Sequence, residues 1–276
     1  MKLRSLLYVP ASSERFISRA HERSADAIIL DLEDSVVEAD KDGARKNLAD
    51  AVASVGRNGA RVFVRINSEP ERRHLDAEAA CRAGAFGLFI PKAHEVEDFW
   101  ALDELLERVE RQAGRNAIRF VPLIETPASM LAATPLARFE RVLGLACGGE
   151  DMALALGAQP LPEVLHLPKL LVHYTAKAEG KLSFGLLRSI ADYSDIAGIE
   201  AAAAEARRHG FDGATCVHPA VVPVLNAAFS PSAEEIAWAE RVVAAAAETG
   251  QGAFSLDGKM IDAPVIARAR AVLAKR

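Results

Sequence analysis

A chain of 276 residues can bury roughly three quarters of its unfolded surface, so one large domain needs neither a disulfide nor a metal staple. Half of the chain is apolar and 26% is charged, the composition of an ordinary globular protein rather than of a disordered or membrane-embedded one. Its 33 basic and 38 acidic side chains leave a formal charge of -5 with no long run of either sign, which sets aside nucleic acid and anionic membrane as partners.

The opening Met1-Lys2-Leu3-Arg4 is basic, but the apolar run behind it stops at Pro10, short of the roughly 7 to 15 residues of a signal-peptide core. No stretch reaches the roughly 18 apolar residues of a membrane span. Cys81, Cys147 and Cys216 form no C-x-x-C pair, as expected of small buried side chains in a reducing, cytoplasmic setting.

Short apolar or β-branched runs alternate with amphipathic, Ala-rich segments, the pattern of βα units around a parallel sheet. Eight runs read as strands: Ser5 to Val9, Ala27 to Leu32, Arg61 to Ile66, Gly87 to Pro91, Arg119 to Ile124, Arg141 to Ala146, Lys181 to Gly185 and Gly213 to Val217. Helices are expected between them at 13–24, 44–55, 75–83, 96–112, 127–137 and 198–209, with Ser13 as a cap and Pro127 in a first turn behind Thr126. Three more helices follow, at 219–228, 233–249 and 263–274.

Eight such units define an α/β chain with a (β/α)8 TIM-barrel fold, whose usual size is about 250 residues. A doubly wound sheet is the alternative, but the first strand is not followed by G-x-G-x-x-G and no G-x-x-x-x-G-K-S/T occurs. The stretch from Gly250 to Gly258 is the one plausible hinge. It divides a barrel at 1–250 from a C-terminal helical arm at 251–276.

In a barrel the working residues lie where strands end. Those ends carry Asp31, Glu33, Asp34, Arg65, Asn67, Lys92, Glu125, Glu150 and Asp151. Glu125 and Asp151 sit on adjacent strands without Cys or His beside them, an oxygen-only donor set that suits Mg²⁺ better than Zn²⁺. The alternative for Glu125 is a cap on the helix at Pro127 or a pair with a barrel cation. Gly148-Gly149 lets backbone approach a ligand and offers amides to an oxyanion, unless it is a plain turn. Arg65 can bind a carboxylate or enolate through two aligned hydrogen bonds, or be buried against Asp31 or Glu33. His218 is the one histidine expected near the barrel mouth, there for packing. Ser5, Ser12 and Ser13 stand in no G-x-S-x-G context.

The segments RSLLYVPASSERF, ILDLEDSV, VFVRINS, FIPK, PLIETPASM, CGGEDMALALG, FDGATCVHPAVVPVLNAAFSPSAEE and GKMIDAPVIARAR follow one another in this order. Together they resemble the citrate lyase β-subunit family within the HpcH/HpaI aldolase and malyl-CoA lyase group, nearly from end to end. The resemblance implies a homotrimeric barrel enzyme that cleaves a 3-hydroxyacyl thioester to an acetyl thioester and a 2-keto acid, or runs the reverse condensation. It implies Mg²⁺ on Glu125 and Asp151, substrate oxygens on Arg65, and Asp262 of the GKMID segment reaching a neighbouring subunit's site.

The chemistry is consistent with that assignment. A metal on the 3-hydroxyl lowers its pKa so that a carboxylate such as Asp262 takes the proton. The thioester enolate released by cleavage needs donors such as Arg65 and the Gly148-Gly149 amides. Arg4, Arg15 and Arg19 are candidates for the phosphates of a CoA handle. Ala11, Ser35 and the seventh unit depart from the family pattern and bear on the acyl substrate, of citramalyl-CoA or malyl-CoA type. The other readings are a citryl-acyl-carrier-protein lyase subunit working with other lyase subunits, a class II aldolase acting on a free hydroxy-keto acid, and a non-catalytic CoA-binding scaffold.

Overall fold

The computed structural model describes residues 2–250 and 252–276. Eight strands make up the main sheet: β1 (Ser5–Pro10), β2 (Ala27–Asp31), β3 (Arg61–Arg65), β4 (Gly87–Ile90), β5 (Arg119–Ile124), β6 (Gly144–Cys147), β7 (Leu182–Phe184) and β8 (Ala214–Cys216). They run parallel in the order β7-β6-β5-β4-β3-β2-β1-β8. A parallel bridge from Phe184 to Gly213, with the Gly185 amide donating to the Gly213 carbonyl at 2.9 Å, brings the two outer strands together and closes the ring. All eight expected strands are found, which makes this the (β/α)8 barrel.

Alternation along each strand sorts its side chains into two cores. Leu6, Ala27, Ile29, Phe63, Phe89, Val121, Leu123, Ala146 and Phe184 fill the barrel interior. Their neighbours Leu7, Ile28, Leu30, Val62, Val64 and Leu88 point outward into the layer beneath the helices. The helix Val96–Ala113 shows the matching period, burying Phe99, Leu102, Leu106 and Val109 on one stripe. Gly87 makes room for the interior: a Cβ there would come within 2.7 Å of the Phe63 ring.

Departures from the expected elements have local causes. The segment expected as one helix at 127–137 breaks into Pro127–Leu131 and Ala133–Arg138, because Pro135 has no N–H to return to Leu131. The helices Gly149–Ala155 and Pro162–Ala178 were not foreseen. Pro168 lies inside the second, and its polar residues blur the apolar period.

The C-terminal region is helical with one addition. Between helices Ala233–Thr249 and Ala263–Ala274 lies a hairpin of β9 (Phe254–Leu256) and β10 (Lys259–Ile261). Its two-residue turn, Asp257-Gly258, has φ of 52° and 73°, the left-handed pair that an Asp-Gly turn accepts. Ala239, Val242, Ile261 and Ala269 form a separate apolar cluster, so a boundary at 250 divides two helices that share one small core. Arg207 to Glu235 at 2.5 Å and Lys275 to Asp212 at 3.8 Å tie this region to the barrel.

Candidate active site

The period that packs the barrel interior also aims its upper residues. On β2 the inward set Ala27, Ile29 continues to Asp31, and on β3 Phe63 continues to Arg65; Asp31 and Arg65 are register partners. Arg65 Nε and Nη2 each donate to Asp31 at 2.7 Å, while Nη1 reaches Asp34 at 3.0 Å and Glu33 at 3.1 Å. The guanidinium also lies over the Tyr8 ring, 5.1 Å from its centroid. Burial pushes the Asp31 carboxyl up, but the paired hydrogen bonds and charge of Arg65 reverse this and hold it below the usual carboxylate range. Of the two expectations for Arg65, the pairing with Asp31 and Glu33 is present, and the same side chain lines the cavity described below.

Glu125 stands inward at the end of β5 and is 3% exposed. Thr126, with Ser129, supplies the capping box of the following helix, so Glu125 does not cap it. Its Oε2 accepts the Lys92 amide at 2.8 Å, and no lysine or arginine pairs with it among the described residues. Lys92 holds a φ of 51°, a costly left-handed conformation for a non-glycine residue, and that bend directs its amide at Glu125. Gly148 leaves the space that Glu125 occupies, since a Cβ there would lie 2.6 Å from Glu125 Cγ. Burial above all, with the charges of Asp151 and Asp34, pushes the Glu125 carboxyl up to about 7, against the Lys92 hydrogen bond and the Arg65 charge. Burial likewise pushes Glu33 up to about 8.

Asp151 lies in the first turn of the helix Gly149–Ala155, half-buried. It joins no ion pair or side-chain hydrogen bond among the described residues. The amide of Gly148 donates to the Ile124 carbonyl at 3.1 Å as part of the sheet ladder. This corrects the expectation that both glycine amides face an oxyanion: only that of Gly149, at the start of the helix, is left for such a role. Lys169, unforeseen because its helix was, is 4% exposed under this turn and donates to the Cys147 carbonyl at 3.4 Å. Its position seven residues, about two helical turns, past the helix-starting Pro162 was the available signal. Cys147 also lines the cavity, its thiol pushed up by burial against the nearby Lys169 charge.

Arg65, Glu125, Gly148, Gly149 and Asp151 therefore line one cavity of about 460 Å³ at the carboxyl ends of the strands. Its walls carry five carboxylates, Asp31, Asp34, Glu125, Glu150 and Asp151, against two cations, Arg65 and Lys169. The excess of negative charge, the oxygen-only donors and the buried Glu125 without a cationic partner suit a hard divalent cation. A second cavity of about 470 Å³ adjoins it through Tyr8, Pro10 and Val217, and carries Arg15, Arg19 and Arg23. His218 packs there, stacked on Tyr193 at 4.7 Å. Arg4 is not part of this groove: it sits before β1, at the opposite end of the barrel, where it binds Asp26 and Ser230. Asp262 is outside the cavity too, capping the helix Ala263–Ala274 through the Val265 amide at 3.3 Å.

Such an acidic pocket at the carboxyl end of a barrel belongs to a recognisable class of enzymes. The family model described as HpcH/HpaI aldolase/citrate lyase matches residues 4–219. The citrate lyase subunit beta of Escherichia coli is 33% identical over 99% of this chain and 92% of its own. The (3S)-malyl-CoA thioesterase of Cereibacter sphaeroides is 35% identical over 99% and 94%. Among solved structures, CitE from Mycobacterium tuberculosis in complex with magnesium, acetoacetate and coenzyme A has a TM-score of 0.79 at 30% identity, covering 98% of this chain and 97% of that one. The chain belongs to the HpcH/HpaI aldolase/citrate lyase family, and with it to a class of lyases.

Proposed function

We propose that this protein is a Mg²⁺-dependent carbon-carbon lyase that cleaves a 3-hydroxyacyl-CoA thioester of citramalyl or malyl type to acetyl-CoA and a 2-keto acid, or runs the reverse condensation. The observation that carries the reading is Glu125 and Asp151 on one cavity wall, facing Arg65, with an arginine-lined groove opening beside them.

Glu125 and Asp151 hold the cation. Once bound, it supplies Lewis-acid polarisation of a hydroxyl and its neighbouring carboxylate. Three of Arg65's nitrogens are engaged by carboxylates, which fixes the guanidinium plane, and its remaining N–H groups steady oxygens of the substrate. The Gly149 amide adds a donor for the thioester oxygen. A carboxylate base takes the proton of the 3-hydroxyl; as the carbonyl of the keto acid forms, the carbon-carbon bond breaks and its electron pair passes to the thioester enolate, which then takes up a proton. Arg15 and Arg19 meet the phosphates of the CoA handle.

Asp262 is the base in this reading, supplied by a neighbouring subunit of a homotrimer, because its own chain holds it as a helix cap away from the cavity. Next to it Met260 is 71% exposed on the hairpin, an apolar tip suited to another subunit's surface.

Relatives named citrate lyase subunit beta favour a second reading, action on a citryl thioester of an acyl carrier protein. The cavity's charge argues against it, because two cations facing five carboxylates leave little to receive a further free carboxylate.

Incubating the protein with Mg²⁺ and malyl-CoA, citramalyl-CoA or citryl-CoA separates the readings. Glyoxylate or pyruvate should appear from the first two and little product from the third; absence of keto acid from all of them, with metal bound, rejects the lyase. Free CoA thiol in the same mixture would register hydrolysis. Mixing inactive Asp262→Ala and Glu125→Gln subunits should restore activity if the base acts across subunits, and should not if it acts within one.

A further inference from the structure

On the outer surface of the barrel, away from the acidic cavity, two neighbouring helices bring together a different donor set. His166 projects from the helix Pro162–Ala178, and Glu205 and His209 from the helix Ile196–His209. Four residues apart on one helix, Glu205 and His209 share a face. One ligand atom from each of the three side chains lies within 4.8 Å of the others. His166 Nε2 and Glu205 Oε1 are 3.4 Å apart, and the two imidazoles meet edge to face with centroids 5.9 Å apart.

We propose that His166, Glu205 and His209 form a second metal site, selective for a borderline divalent ion of the Zn²⁺ type and distinct from the carboxylate site in the barrel. With metal-ligand bonds of about 2.0 to 2.1 Å, tetrahedral ligands lie roughly 3.3 to 3.5 Å apart. The His166–Glu205 pair already has that separation. His209 is exposed at its helix end, so a change of rotamer suffices to bring its ring in, and water takes the fourth position. Two imidazoles and one carboxylate favour Zn²⁺, Co²⁺ or Ni²⁺ over Mg²⁺, which prefers oxygen alone. Of the two arginines beside His209 on the same helix, Arg207 is turned away to Glu235 at 2.5 Å and Arg208 is exposed to solvent.

The position gives the site a consequence for the barrel. The first helix carries Lys169 beneath the Gly148-Gly149 turn, and the second follows the segment whose Leu186, Ser189 and Ile190 line the cavity. An ion held between them staples the helices that flank β7, and stabilises the fold by mass action.

The test is equilibrium dialysis of the full-length protein against Zn²⁺ in saturating Mg²⁺, with thermal unfolding in parallel. The wild type should take up one equivalent of Zn²⁺ and unfold at a higher temperature. His166→Ala and His209→Ala should each weaken Zn²⁺ binding at least tenfold and abolish the thermal shift, with Mg²⁺ binding unchanged. Co²⁺ in place of Zn²⁺ should give the visible absorption of a tetrahedral site, lost in the same variants. No Zn²⁺ uptake by the wild type, or uptake that both histidine variants leave intact, overturns the proposal. All three side chains are at least partly exposed, so the variants should fold, and unchanged circular dichroism checks that they do.

Discussion

The barrel interior has two floors built by the same strands, and they obey opposite rules. On the lower floor Leu6, Ile29, Phe63 and Val121 close a wholly apolar plug. Further along the same inward rows, β2 and β3 present Asp31 and Arg65, and Glu125 follows Leu123 at the end of β5, all nearly as buried. The lower floor is held by area removed from water, about 1.5 to 3 kcal/mol for each large side chain. The upper floor stores a cost: carboxylates out of water, one strained backbone at Lys92, and a charge excess that only a cation relieves. A rigid plug is what allows such a costly cluster to keep its geometry.

Breaking the lower floor should have the largest effect on stability. Phe63 is fully buried, its ring packed edge to face on Phe86 and Phe89 at 5.3 and 5.4 Å. We predict that Phe63→Ala costs about 3 to 5 kcal/mol, read by urea unfolding; a loss below about 1 kcal/mol would mean the plug is not what supports the site.

Breaking the upper floor should separate function from stability. Glu125→Gln should weaken Mg²⁺ binding by about 100-fold, the upper range for supporting residues and so a lower bound for a direct ligand, while at neutral pH without metal the variant should unfold no more easily than the wild type, because the buried charge is gone. If calorimetry finds Mg²⁺ affinity unaltered, the metal is not held here.

The smallest effect is graded by pH. Burial, chiefly, raises the Glu125 carboxyl to about 7, so below that value a proton competes for the ligand and Mg²⁺ affinity should fall about tenfold per pH unit. The metal-free protein runs the other way. A carboxyl raised on folding contributes stability that is complete below its unfolded value near 4.5 and is lost as pH rises through about 7, or about 8 for Glu33. Glu125→Gln should flatten the first part of that loss in thermal unfolding from pH 5 to 8. A wild-type protein without Mg²⁺ that becomes more stable over this range would contradict the assignment.

Much of this is legible in the sequence, for reasons that differ by residue. Period-two apolar runs marked all eight strands, and strand ends in a barrel point at one mouth, so Arg65, Glu125 and Asp151 were found together. Lys169 escaped because Pro168 and scattered polar residues hid the helix that carries it. Arg4 was misplaced because sequence proximity to Tyr8 does not say at which end of β1 a side chain lies. Gly148 looked available, but its amide belongs to the sheet ladder, and backbone bonding is invisible in residue types. The hairpin at Asp257-Gly258 had its turn signal in plain view, masked by strands of only three residues each.

The sequence by itself determined the barrel, the family and the carboxylate pair, because side-chain alternation and strand-end position are local properties that period and order reveal. Tertiary structure alone decided which charges cancel and which remain: Arg65 is claimed by Asp31, while Glu125 receives one amide and, among the described residues, no cation. That balance depends on distances of a few ångströms between residues distant in the chain, 34 positions for Arg65 and Asp31 and 33 for Lys92 and Glu125, at a depth where each unpaired charge is costly.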